Sequence, residues 1–546
     1  MLKLLRSLSK RNLLAQRRLA TRTTWRGLLE NQLQEVWEKS PYTRIFFSCL
    51  LIITLMLLGI WGNTHPEDSI LSAALMGFTG LLSLVATGML FKEFSQRQSR
   101  SFLFFMSIIL NLALIKLCLI YWPAKPGALG DRPDAYALPT AIAPMLVTIL
   151  LGYGPGMMSV GFTSLLAAPL APASGADVYQ AIVLSSLLTG LASVVFCQKI
   201  RKRSDVLRAG MLVGLVSQIN VISFALLYNQ PPTTILWQGL LSLGFGIFSA
   251  FVVNAIVPLF ESLFGIVTDM SWLEQSDLNH KLMRRLSIEA PGTYHHSLVT
   301  ANLAETAAMA IGANALQCRV CAYFHDIGKL VKPSYFTENQ SDSTNPHKDL
   351  TPNMSTLVIT AHVKEGVALA IKHKLNRHII DAIREHHGTT IVKYFHNKAL
   401  RKNEDTAKGG KIPRSRDSNG SEEPHETDFR YDGPKPQSRE TAILMLADGA
   451  EAIARSLVKP SQSKIREAID KLLLDRITDG QFDECPISLK ELRIVADTLT
   501  NTLCSMLHNR IKYPDDEKTT LKSDSSSDTP PKADPHHHKP AETPPS

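Results

Sequence analysis

Apolar residues fall into two regimes along this chain. Up to about residue 258 they come in runs, at about 45–61, 70–91, 101–122, 138–171, 179–198, 207–228 and 235–258, long enough to cross a bilayer as helices. Beyond that point they recur at the three- and four-residue spacing of amphipathic helices, with almost no alternating stretch. The pattern predicts an all-α chain of 546 residues. A basic arm (1–44) precedes a polytopic transmembrane domain (45–258), a linker helix (259–285), an all-helical cytosolic domain (286–512) and a disordered tail (513–546).

The run at 138–171 is too long for one pass, and Gly152-Tyr153-Gly154-Pro155-Gly156 interrupts it. A break of this composition turns the chain. Counted as a hairpin it makes eight passes; as one pass, seven. Loop charge selects eight. The N-terminus, Lys92 to Arg100 and Gln198 to Arg208 are basic, whereas His65 to Asp68, Ser174 to Asp177 and Asn229 to Thr234 carry almost no positive charge. Positive loops stay cytoplasmic. Only eight passes put all three basic loops and the C-terminal half on one side, with Ala124 to Asp134 outside despite Lys125 and Arg132. Lys116 is the clearest charge within a span, and nothing in the spans resembles a transport site.

The net charge of +9 suits an anionic membrane surface or a phosphate-bearing ligand. The first 26 residues hold eight Lys/Arg and no acid. That composition fits an organellar transit peptide or an arm lying on anionic lipid, and the bacterial style of the membrane domain favours the arm. Seven cysteines form no disulfide framework, and the lone CxxC of Cys318 and Cys321 on an apolar helical run reads as core packing.

In the C-terminal half, Pro291-Gly292 precedes a helix carrying His295 and His296, and a helix from Leu316 to Lys329 ends in His-Asp-Ile-Gly-Lys. Residues 333–353 form a loop over the site. A helix from about Met354 carries His362, and another, Ile379 to His387, runs into Gly-Thr-Thr. Residues 401–428 lose all periodicity and read as a disordered insertion. The loop Tyr431 to Gln437, a helix Glu440 to Val458 with Asp448, and helices at about 462–477 and 488–511 complete the domain.

His296, His325, Asp326, His362, His386, His387 and Asp448 lie on five predicted helices, several in adjacent pairs. Burying so many donors unpaired would be costly, whereas facing helices commonly gather such groups around metal. Imidazole suits borderline transition metals, and a bridging carboxylate suits two ions held close together.

The order H…HD…H…HH…D resembles the HD superfamily of metal-dependent phosphohydrolases. The strings APGTYHHS, YFHDIGK, FTENQ, EHHGTT and GPKPQSRETAI, with RSDVLRAGMLVGL and LFGIVTDMSWLEQSD before them, are similar to the membrane-anchored family of seven-transmembrane-receptor HD proteins. The resemblance covers roughly residues 70–510 and implies a cyclic di-AMP phosphodiesterase. It implies that the seven residues above are metal ligands, that Asp326 bridges two ions, and that these are manganese or iron rather than zinc. His295 does not carry over and reads as a helix-surface residue. Relatives usually carry a large extracellular domain after the first helix, where this chain has only Gly62 to Asp68.

Two ions would acidify a bridging water and offset phosphodiester charge. Asp326 and Lys329 are the catalytic candidates. Lys329 is placed to hold a phosphate, and Lys332, Tyr335 and Asn339 to contact a base or ribose. In-line attack would open a cyclic dinucleotide to linear pApA. The expected surroundings are a bacterial plasma membrane with the HD domain cytoplasmic; an organellar membrane is the alternative. No DNA or RNA polymer is expected, and a homodimer is allowed. Three rivals share the metal core: a cyclic di-GMP enzyme, a hydrolase of mononucleotides or alarmones, and a receptor that binds nucleotide without turnover. Gly388-Thr389-Thr390 stands where the first of these carries an acid and a GYP loop, and the complete ligand set disfavours the last.

Overall fold

The computed structural model describes residues 40–63, 65–91, 94, 97–121, 137–171, 176–227, 229–340, 345–408, 424–457 and 461–508. The basic arm up to residue 39, the whole Ala124 to Asp134 loop, Ser174 and Gly175, the tail, and residues 409–423 of the expected insertion lie outside them. Among the described residues every regular element is helical, and the one β-bridge pairs Ile391 with Arg430.

Six long apolar helices make up the N-terminal half: α1 (Pro41–Ile60), α2 (Pro66–Leu90), α3 (Gln98–Tyr121), α6 (Ala176–Cys197), α7 (Arg203–Leu227) and α8 (Pro232–Phe264). Between α3 and α6, the long apolar run is split into α4 (Ile142–Leu151) and α5 (Tyr153–Ala167) at Gly152, whose φ of +95° favours glycine. The chain doubles back there, because a Cβ at Gly156 would lie 3.3 Å from Thr148 Cα. At 1.5 Å per residue, α4 and α5 reach only about 15 Å and about 22 Å, short of a hydrocarbon core of about 30 Å. The expected hairpin is present, but neither leg matches the length of a full pass. The α7–α8 pair packs through glycine, a Cβ at Gly246 falling 2.4 Å from Gly214 Cα. Lys116, the charge within a span, donates to Asn63 Oδ1 (3.1 Å) and to the Leu170 carbonyl (3.0 Å), tying α3 to the α1–α2 turn and to the segment after α5.

The expected linker helix at 259–285 is three pieces. α8 runs on to Phe264 and stops at Gly265 in the left-handed region; α9 (Asp269–Gln275) and α10 (Lys281–Glu289) follow. Glu261 accepts from the Thr268 N–H and hydroxyl and from Ser271, and Arg203 at the start of α7 pairs with Glu274 at 2.9 Å, so α9 is held to the apolar helices. Its other face presents Trp272, 1% exposed, to a core with Leu282, Met283, Leu286, Val320 and Ile383. Trp272→Ala removes the largest fully buried side chain among the described residues and is expected to cost about 3–5 kcal/mol. The loss would be read as a lowered thermal unfolding midpoint of the detergent-solubilised protein.

The C-terminal bundle comprises α11 (Pro291–Ala310), α12 (Ala315–Phe324), α13 (Pro352–Lys372), α14 (Arg377–Glu385), α15 (Lys393–Lys408), α16 (Arg439–Ser456), α17 (Gln462–Thr478) and α18 (Leu489–His508). By length and composition α13 could also cross a membrane, the seventh such helix among the described residues, yet it belongs to this bundle and carries buried His362. A second core joins α11, α16, α17 and α18 through Leu303, Ile443, Leu446, Ile469, Val495 and Leu499. Residues 401–408, expected to be disordered, continue α15 as helix.

Candidate metal centre

Each functional side chain is delivered from a helix or a helix end. His296 projects from α11, His362 from α13 and Asp448 from α16; His325-Asp326 follow the last residue of α12, and His386-His387 follow the last residue of α14. The helix expected to carry His-Asp-Ile-Gly-Lys therefore stops at Phe324, and Ile327–Val331 form a tighter 3-10 turn. Packing imposes this. Gly328 lies against α13 so closely that a Cβ would sit 1.8 Å from the His362 carbonyl oxygen.

The seven residues meet in two groups, Asp326–His362–His386–His387 and His296–His325–Asp448, with potential ligating atoms in each within 4.8 Å of one another. Asp326 stands between them. Its Oδ1 is 3.3 Å from His362 Nε2 and 3.8 Å from His386 Nε2. Its Oδ2 is 3.3 Å from His325 Nε2 and 3.6 Å from His296 Nε2. Asp448 reaches His296 Nε2 with Oδ1 (2.9 Å) and His387 Nδ1 with Oδ2 (3.8 Å).

The imidazoles are fixed from behind. The Nδ1 atoms of His325, His362 and His386 donate to the carbonyls of Ala322, Ile359 and Ile383, at 2.7, 2.6 and 2.8 Å. That leaves each Nε2 lone pair turned inward. His296 Nδ1 instead meets Glu451 Oε2 at 2.5 Å. His296 Nε2, His325 Nε2 and Asp326 Oδ1 are buried without an aligned hydrogen bond, so the 2.9 Å approach of His296 to Asp448 is a contact of two would-be ligands. Nitrogen and carboxylate donors that converge while lacking partners fit a pair of transition-metal ions.

Electrostatics divide the two groups. Burial pushes His386 down to about 3 and, with His386 beside it, His387 well below the usual value; burial also lowers His362 despite Asp326. Burial opposes the charged form of His325 too, but Asp326 and Asp448 outweigh it and raise this imidazole to about 10. His296 is raised against burial by Asp448 and Glu451. Asp326 stays well below the usual carboxylate range because Lys329 and His325 outweigh its burial.

Lys329 was expected to face Asp326 from the same helix face. It does so across the 3-10 turn, with Nζ 2.6 Å from Asp326 Oδ2, 2.8 Å from Glu338 Oε1 and 5.1 Å from the Phe336 ring centre. Burial opposes its charge, yet the two carboxylates raise its pKa above the ordinary lysine value. Of the expected substrate contacts, Asn339 is engaged elsewhere: its Oδ1 accepts from the Thr293 N–H (3.2 Å) and its Nδ2 donates to Thr293 Oγ1 (2.8 Å), capping α11. Lys332 is exposed over the Tyr335 ring, and the Tyr335 carbonyl accepts from His347. His295 is exposed, as expected of a surface residue. Cys318 and Cys321 are buried, and burial raises both thiols, which suits packing.

Three supporting residues escaped the sequence reasoning. Glu451 lies three residues after Asp448 on the same face of α16, a spacing that could have revealed it. Glu338 follows Thr337 in the FTENQ segment, and Tyr431 stacks on His387 with ring centres 4.3 Å apart; only the fold shows these two. Glu451→Gln should lower metal affinity about 10–100-fold while leaving the helical fold intact. Metal retained after dialysis against graded chelator measures this, and unchanged retention would contradict the role given to Glu451.

An all-helical bundle holding paired His/Asp groups behind apolar membrane-length helices defines a membrane-anchored HD-type protein. Comparison with known proteins agrees. Residues 69–268 match the family described as 7TM receptor with intracellular HD hydrolase, and residues 293–453 match the HD domain. The two matches follow one another along the chain, the membrane part first and the HD domain second, as the family's description has them. The chain is 40% identical over 390 residues to the cyclic-di-AMP phosphodiesterase PgpH of Listeria monocytogenes, covering 70% of this chain and 51% of the relative. It is 38% identical over 337 residues to PgpH of Bacillus subtilis, covering 61% and 44%. The chain thus spans about half the length of the curated relatives it matches. A crystal structure of the L. monocytogenes PgpH HD domain in complex with cyclic-di-AMP is 43% identical, with 42% of this chain and 99% of that one covered and a TM-score of 0.38. HD domains are metal-dependent, and the cluster described here could bind metal.

Proposed function

We propose that this protein is a membrane-bound, metal-dependent phosphodiesterase that opens a cyclic dinucleotide, cyclic di-AMP before others, to its linear form. The observation that carries the reading is Asp326, whose two oxygens face two separate sets of imidazoles. His296, His325 and Asp448 would hold one ion, and His362, His386 and His387 the other, with Asp326 shared and manganese or iron as the metal. The relatives named PgpH support cyclic di-AMP as substrate.

When bound, such ions supply Lewis acidity toward a phosphodiester and acidify a water. The chain's own groups do the rest. Carbonyls behind His325, His362 and His386 hold their tautomers, and Tyr431 stacked on His387 sets the plane of that ring. Glu338 and Phe336 fix Lys329 beside Asp326 as a permanent cation that can take one phosphate oxygen. Water adds to phosphorus, the P–O3′ bond breaks, and the released 3′-oxygen takes up the proton, giving pApA.

The purified full-length protein with manganese, assayed on cyclic di-AMP, cyclic di-GMP and deoxynucleoside triphosphates, is expected to convert the first to pApA. Binding without turnover, or preference for another nucleotide, would overturn the reading.

The electrostatic division gives a pH prediction. In the metal-free chain His325, raised to about 10, carries a proton at neutral pH and His296 is shifted in the same direction, whereas burial holds His362, His386 and His387 below the usual imidazole value. A cation must displace protons from the first group only. One binding step should therefore strengthen steadily from pH 6 to 8 with proton release, and the other should stay flat. Calorimetry in buffers of different protonation enthalpy reads the difference; equal release at both steps contradicts it.

For the membrane, six crossings plus the α4–α5 hairpin entering and leaving on one face preserve the sidedness of eight passes. The Gln198 to Arg208 loop, α9 and the HD domain then share the cytoplasmic side of a bacterial plasma membrane.

A further inference from the structure

The cations near the metal cluster are not equivalent. Lys329 is already held by two carboxylates. Arg476, near the end of α17, has no ion pair or side-chain hydrogen bond among the described residues, and its Nε is buried without an acceptor. Neighbouring acids are engaged elsewhere: Asp475 with Lys393 at 2.6 Å, Asp479 with Arg430 at 2.8 Å. A guanidinium N–H left buried without an acceptor is costly, and Arg476 is only partly buried, so an anion arriving from the open side could supply the acceptor its Nε lacks.

Its position is informative. The Arg476 carbonyl accepts from the Gln481 N–H, while the Gln481 side chain accepts from the Thr389 N–H (2.9 Å) and donates to Thr389 Oγ1 (2.9 Å). This end of α17 is thereby fastened to the turn just after His386-His387. Of the seven cluster residues, His387 and Asp448 have side chains 21% and 14% exposed, against 3% or less for the other five. The cluster therefore opens on the side of His387 and Asp448. Asp448, at that opening, is the foremost of the carboxylates whose charge acts on Arg476, ahead of Asp479 and Asp475.

We propose that Arg476 is a phosphate-binding residue of the open side, taking non-bridging oxygens of a nucleotide phosphate in the place its missing acceptor leaves. Arginine's planar fork suits that geometry better than an ammonium does. The inference rests on the phosphodiesterase reading for the identity of the substrate, but not for the chemistry of the anion.

The test uses full-length manganese-loaded protein and two readouts: KM and kcat for cyclic di-AMP, and the affinity of inorganic phosphate by calorimetry. Arg476→Gln is expected to raise KM and weaken phosphate binding tenfold or more, and Arg476→Lys to restore part of both. Metal content and unfolding midpoint should stay at the wild-type values. A wild-type protein that cleaves no cyclic dinucleotide but binds phosphate through Arg476 sinks the substrate reading alone. Normal KM and phosphate affinity in Arg476→Gln sink the arginine proposal alone. So does a wild type that binds no phosphate, or a loss that tracks metal content or folding in both variants.

Discussion

Asp326→Ala should lower kcat/KM by a factor of about 1000 or more, equivalent to about 4 kcal/mol of transition-state stabilisation. The same substitution should leave the purified protein short of both metals. Asp326 faces both groups with separate oxygens, at 3.3 Å to His362 on one side and 3.3 Å to His325 on the other, and is more deeply buried than Asp448, whose Oδ2 comes only to 3.8 Å of His387. Removing it also strips Lys329 of one of its two carboxylates and leaves His325 with Asp448 alone of the two carboxylates that raise it. Substitution at His362, by contrast, should spare the metal held by the other group, so metal analysis of the two variants distinguishes a shared ligand from an ordinary one. A variant Asp326→Ala that keeps a full complement of metal contradicts the bridge.

Gly328→Ala is expected to be the most damaging single-methyl change in the bundle. The added Cβ would fall 1.8 Å from the His362 carbonyl oxygen and 2.6 Å from the Gly366 N atom, both backbone atoms of α13 that cannot swing aside. Overpacking typically costs about 1–3 kcal/mol, and here relief requires the 3-10 turn and α13 to separate. Because Asp326 lies on one and His362 on the other, the two halves of the site part with them. The expected result is a lowered unfolding midpoint together with loss of metal. Gly312→Ala is a useful control, since its Cβ would meet nothing within 4 Å and only its φ of +64° resists substitution. If Gly328→Ala matches that control in both measurements, the close approach is not what holds the turn.

Much of the site was legible as sequence. Adjacent histidine pairs, a His-Asp pair and a late aspartate on separate helical periods are improbable as core, and all seven do converge. What sequence could not show is where the helices end. The period around Leu316 to Lys329 reads as one helix, but α12 stops at Phe324 because contact with α13 demands a tighter turn. Asn339 looks like a loop residue free to meet a ligand, yet its amide is spent on capping α11. Glu338, the residue before it, is the one that reaches the site, through Lys329.

The membrane half divides the same way. Apolar runs and the glycine break at Gly152 were readable, because length and composition alone govern whether a helix suits a bilayer. That the broken run becomes two short legs, and that α8 continues to Phe264 before α9 turns Trp272 into the neighbouring core, depends on contacts between distant segments.

By itself the sequence determined the all-helical character, the membrane-length runs and the identity of the seven imidazoles and carboxylates, since periodicity and residue chemistry are local properties. Only the tertiary structure decided which oxygen of Asp326 faces which imidazole, which lysine is already paired and which arginine is not. Those depend on atoms brought within a few ångströms from positions far apart in the chain, and no local pattern records such distances.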